Sequence, residues 1–142
     1  MTPKELIQYQ LESTAKQLHA VLDDFHRTTF HDVIADSTLM SAAQTVSHLT
    51  ETYIAVQEHF EGKQHEWGSY KSETNDPIEL MDKMWAEREK AVAAVLSCDD
   101  EGDATKTATE YIIMHDPYHV GELVTLRLHF EPNWDAYSIY SH

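Results

Sequence analysis

His115-Asp116-Pro117-Tyr118-His119-Val120-Gly121-Glu122-Leu123-Val124-Thr125-Leu126-Arg127 is the stretch on which the fold turns. Projected together with the residues before it at about 100° per residue, it puts Ala108, Ile112, His115, His119, Glu122 and Leu126 on one narrow helix face. That is the face expected to look into a bundle. Two imidazoles and a carboxylate thus interrupt an apolar stripe. The i, i+4 spacing stacks His115 and His119 on adjacent turns, where both reach one ion at about 2.0 to 2.1 Å. Hydrogen-bonded core or rim histidines would share this spacing, and the position on the stripe favours the metal. Pro117, between the two, removes a backbone donor and should free the Ile113 carbonyl and kink the helix. If Asp116 instead caps a new helix starting at Pro117, the two rings lose their stacked geometry.

Working outward, three further stretches carry the 3.6-residue repeat and none carries a convincing period of two. Pro3 to Phe25 aligns Ile7, Leu11, Leu18, Leu22 and Phe25, with proline in the first turn. After a loop from His26 to Ser37, a second helix runs from Thr38 to Glu61. Ser37 or Thr38 is its cap, and Ala42, Val46, Leu49, Tyr53, Val56 and Phe60 form its stripe. Gly62 stops it. A long connection, Gly62 to Asn75, surrounds Trp67 with polar residues and is read as a surface crossover, with a lid or partner contact as the alternative. Asp76-Pro77 opens the third helix, with Met81, Trp85, Val92 and Val95 inward, and it ends near Cys98. The fourth runs from about Asp103 to Phe130, followed by an aromatic tail, Trp134-Asp135-Ala136-Tyr137-Ser138-Ile139-Tyr140, which is expected to pack on the bundle or on a neighbouring subunit. The expectation is an all-α four-helix bundle forming a single domain over residues 1–142.

A third ligand must come from another helix. His48 is the best placed, mid-helix at the border of the second stripe, although periodicity alone does not separate it securely from His59. Asp23 with His26, and His59 with His65, resemble further metal pairs but fall at helix ends or in loops, where solvated surface is the better reading. A di-iron bundle needs paired Glu-x-x-His motifs, and no glutamate here has histidine three residues later. Arg88 interrupts the third stripe. It is a candidate for binding an anionic substrate or cofactor group or for pairing with a buried carboxylate, against the commoner reading that it snorkels to solvent. Tyr118 beside His119 reads as packing, with donation to a metal-bound oxygen as the alternative. Cys98, at a helix C-terminus where the dipole disfavours a thiolate, is not expected to be a nucleophile.

Composition narrows the function. The formal charge is -15, from 25 acidic and 10 basic side chains, which repels a phosphate backbone, so nucleic acid is not an expected partner. No apolar run approaches the roughly 20 residues needed to cross a bilayer. With one cysteine, no internal disulfide and a polar N-terminus, the expected location is the cytoplasm, with no membrane partner. The ten histidines are scattered rather than consecutive, as a tag would be.

His48-Leu49 in the second helix and the His115 to Arg127 stretch, with its His-x3-His-x-Gly core and the later Trp-Asp-x-Tyr-Ser, resemble the DinB-like superfamily of metal-binding four-helix bundles over essentially the whole chain. The resemblance implies an up-down-down-up bundle, often a homodimer. It implies that His48, His115 and His119 hold a divalent ion, commonly zinc or nickel. Some relatives activate a low-molecular-weight thiol for transfer, and many have no assigned reaction. Where relatives usually carry glutamine this chain has Glu122, a candidate fourth ligand, outer-sphere acceptor or general base, or simply a carboxylate at the rim. The expected function is a metal-dependent enzyme activating a thiol or water. The alternative is a non-catalytic metal or small-ligand binding protein.

Overall fold

The computed structural model describes residues 1–141, and among these it is all-helical, without strands. Helix α1 (Pro3–Leu22) starts from a reciprocal cap. Thr2 Oγ1 accepts from the Glu5 amide at 3.1 Å, and Glu5 Oε2 accepts from the Thr2 amide at 2.8 Å, so two otherwise unpaired donors are satisfied. Helix α2 (Ala42–Phe60) uses the same device with Ser41 and Gln44. The cap is therefore Ser41, not Ser37 or Thr38: Ser-x-x-Gln satisfies both donors, whereas the Ser37 hydroxyl is taken by the Leu39 amide. Helix α3 (Pro77–Ser97) opens on Asp76 and Pro77 as the sequence indicates.

The fourth expected helix is built in parts: α4 (Glu101–Ala108), capped by Asp100 two residues earlier than anticipated, a wide π turn over Thr109–Ile113, and α5 (His115–Phe130). The Met114 amide donates to the Thr109 carbonyl at 3.0 Å, five residues back. The wide turn ends at Ile113, whose carbonyl the Pro117 ring would meet in a straight α-helix, so the extra width answers the proline. Asp116 does not cap a new helix.

This turn holds one residue more than an α-helix would, and it corrects the uniform projection. Downstream, the core line runs through Ile112, Asp116, Val120, Leu123 and Arg127, all buried. His115 and Glu122 consequently fall on its border, half-buried, while His119 and Leu126 stay inside.

Helix α2 packs along α3, and α1 along α5. Leu11, Leu18, Leu22, Leu49, Val56, Met84, Val95, Ile112 and Leu123 form one contiguous core, each large side chain in it contributing roughly 1.5–3 kcal/mol by leaving water. Helix α1 ends at Leu22, short of Phe25, because Arg127 reaches in from α5. Its Nη1 donates to the Val21 carbonyl at 2.9 Å and its Nη2 to the Asp24 carbonyl at 3.2 Å. A guanidinium there also suits the negative end of the helix dipole. Phe25 is still buried, and Trp134 of the tail lies over the guanidinium at 4.3 Å. No helix is long and apolar enough to cross a membrane among the described residues.

The connection from Gly62 to Asn75 is fastened rather than loose. Glu51 and Glu58, two turns apart on α2, both reach His65, at 2.8 Å to Nε2 and 2.9 Å to Nδ1. The Gly68 amide donates to Glu51 Oε2 at 2.7 Å. His65, expected at the solvated surface, has a side chain only 7% exposed, because the loop folds back onto the α2 face bearing both carboxylates. Burial pushes its pKa down, but the two carboxylates outweigh this and raise it above the ordinary value of 6.5. A raised folded-state pKa means that the clamp's contribution is complete below the unfolded value and is lost as pH climbs through the folded one. Proteolytic nicking of Gly62–Asn75 should therefore accelerate as pH rises above about 6.5, and His65→Gln should be nicked fast at every pH. A pH-independent rate in the parent protein would refute the clamp.

Candidate metal centre

His48 projects from the middle of α2, and His115 and His119 from the first two turns of α5. Their Nε2 atoms converge: His115 Nε2 lies 3.1 Å from His48 Nε2 and 3.1 Å from His119 Nε2. Among the described residues, these three form the group whose ligand atoms lie close enough to share an ion. His59, the rival for the third position, is instead 2.8 Å from Asp103 Oδ1 at the surface. His26 faces Glu131, and Asp23 pairs with His19.

The donor set fits a divalent cation. Bonds of 2.0–2.1 Å at tetrahedral to octahedral angles space ligand nitrogens about 2.9 to 3.4 Å apart, the spacing of His115 Nε2 from each of the other two. Burial, with the charges of neighbouring histidines added, pushes His115 and His119 down to about 4. Both rings are therefore neutral near pH 7, the form that binds metal. An imidazole nitrogen offers one lone pair or one N–H, so three nitrogens crowded on one point cannot all satisfy one another.

Glu122 stands outside this triangle. Its Oε1 is 2.7 Å from His119 Nδ1, the ring nitrogen facing away from the other two histidines. Neither atom counts as hydrogen-bonded, so the approach is short but off the direction of a ring N–H. Burial raises the Glu122 carboxyl above its ordinary range, and the His48 charge opposes it. The carboxylate stands where the outer partner of a metal-bound histidine would stand, beside the ring nitrogen turned away from the site. Glu122→Gln should weaken metal affinity roughly 10- to 100-fold in chelator competition, whereas an unchanged affinity would mean a carboxylate that merely sits at the rim.

Behind the histidines lies a polar knot that periodicity did not anticipate. Asp116, fully buried and set between the two α5 histidines in sequence, accepts from the Tyr53 hydroxyl at 2.6 Å and from Arg88 Nε at 3.1 Å. Arg88 Nη2 donates to the Leu11 carbonyl and to Thr14 Oγ1, both at 2.8 Å. One carboxylate thus gathers α1, α2, α3 and α5 at the level of the site. Arg88 does not snorkel. It is buried and paired with Asp116, and as a candidate cofactor-binding residue it has its Nε and Nη2 engaged inside the bundle. An arginine on an apolar stripe was the available signal, but its partner sat one place off the projected face. Tyr118 is exposed, its ring edge-on to His119 at 5.0 Å. A Cβ on Gly121 would meet nothing within 4 Å, so packing does not explain that glycine. Cys98 caps α3, its thiol donating to the Asp100 carbonyl.

No protein-family model, curated protein or solved structure matches the chain.

Proposed function

We propose that the chain is a DinB-like metal-dependent protein in which His48, His115 and His119 hold zinc or nickel and leave room for a low-molecular-weight thiol or water. The convergence of three Nε2 atoms at a half-buried border carries this reading. Three imidazoles with no fourth protein ligand among the described residues are the pattern of catalytic rather than structural sites. A divalent ion in such a place supplies Lewis acidity and lowers the pKa of a bound thiol or water. The chain's own part is to hold the three rings, to steady His119 through Glu122, and to offer Glu122 as the acceptor of the released proton. The aromatic tail and a homodimeric state belong to the same reading.

Cobalt-loaded protein titrated with small thiols tests it. A sulfur-to-cobalt charge-transfer band, together with consumption of a soft electrophile above the background rate, supports thiol transfer. A band without turnover favours the metal or small-ligand binding protein. No band with any thiol, and no hydrolysis of activated esters, would remove the catalytic reading.

A further inference from the structure

A pair of aromatic rings meets at the wide turn that precedes His115. Trp67, on the clamped connection, and Tyr111, in the wide turn, face each other with ring centroids 6.5 Å apart and planes within 15° of parallel. Both remain exposed, Trp67 at 55% and Tyr111 at 37%. A pair this far apart lies at the outer limit for rings in contact. A third ring at van der Waals distance from both would need roughly 7 Å, so the two walls part by at least about 0.5 Å to admit one. A cavity of about 380 Å³ is lined by both rings together with Ala55, His59, Lys63, Gln64 and His65, within the usual size of small-molecule sites.

Both walls are held. Trp67 lies two residues from the clamped His65, whose ring meets the indole edge-on at 4.7 Å. Tyr111 belongs to a helical turn four residues before His115. Glu51, which fastens His65, is three residues from His48. The charged groups around the cavity already have partners: His59 with Asp103, Lys63 with Glu61, and His65 with Glu51 and Glu58. Recognition there falls to the ring faces, and the formal charge of -15 disfavours an anion. Ring faces bind flat π systems, and cations more strongly still.

We infer that Trp67 and Tyr111 form a slot that binds a planar aromatic or heteroaromatic ring, uncharged or cationic, beside the three-histidine centre. The slot does not depend on the metal reading, which concerns other side chains. If that reading also holds, the slot would receive the flat portion of a substrate whose reacting group lies toward the histidines.

The test is NMR titration of metal-free full-length protein with quinoline, N-methylquinolinium and quinoline-2-carboxylate, following the Trp67 indole N–H, which is assigned by its loss in Trp67→Phe. The slot predicts saturable shifts with quinoline and the cation, and weaker binding of the carboxylate. Ligand-observed affinity should fall about tenfold or more in Trp67→Ala and in Tyr111→Ala, as loss of a stacking face does. It should stay within about threefold in Tyr111→Phe, which keeps a ring face. Tyr137→Ala, an exposed aromatic elsewhere, and His119→Ala should bind like the parent, so failure of the metal reading leaves this result standing. Absence of saturation at millimolar quinoline, or an affinity that Trp67→Ala leaves unchanged while circular dichroism shows a folded protein, would overturn the slot.

Discussion

Asp116→Ala should lower folding stability by about 3–5 kcal/mol, a large part of the roughly 5–15 kcal/mol that a domain of this size possesses. The aspartate is fully buried, and its removal strands the Arg88 guanidinium inside the bundle and leaves the Tyr53 hydroxyl without its acceptor. Most of the loss comes from the uncompensated charge rather than from the missing attraction. Hence Asp116→Leu combined with Arg88→Met should be much less harmful than Asp116→Ala alone, because an apolar pair leaves no ion behind. Urea unfolding of Asp116→Leu, Arg88→Met and the double variant measures the coupling. A single substitution costing under about 1 kcal/mol would mean that water or another group replaces the carboxylate, and the knot would lose its standing as the clasp of four helices.

Loss of metal in His119→Ala should be the largest functional effect. Removing even an outer partner of a metal-bound histidine typically costs 10- to 100-fold in affinity, and removing a ligand should exceed that. Protein purified without chelator or metal-affinity resin should carry close to one equivalent of divalent metal, and His119→Ala, His115→Ala and His48→Ala should carry almost none. His59→Ala should retain it, since that ring is committed to Asp103. Metal retained in all three ligand variants, or taken up by none of the proteins on reloading, would dispose of the centre.

Much of this was legible in the chain, and the misses share a physical cause. Asp76-Pro77 announced α3 because cap and proline act locally. The spacing of His115 and His119 announced two rings that meet, for a similar reason. His48 needed a contact 67 residues away, which no periodicity supplies, so only resemblance singled it out from His59. Asp116 was hidden because the projection assumed a constant 3.6 residues per turn, and the wide turn shifts the core line by one place just where the carboxylate lies. His65 was misjudged because the loop's return to α2 depends on Glu51 and Glu58, whose facing carboxylates look in sequence like ordinary surface charge.

The wide turn also determines where the chain can change length. Thr109–Ile113 contains one residue more than a straight helix would use, so a chain lacking one residue there would still bring Asp116, His115 and His119 to the same neighbours. Within α5 itself a single deletion would turn every later side chain by about 100°. The obstacle to such a shortened form is Pro117, whose ring would then meet the carbonyl four residues before it. Insertion and proline are therefore a matched pair, and an alanine at position 117 is what would let the helix dispense with its spare residue.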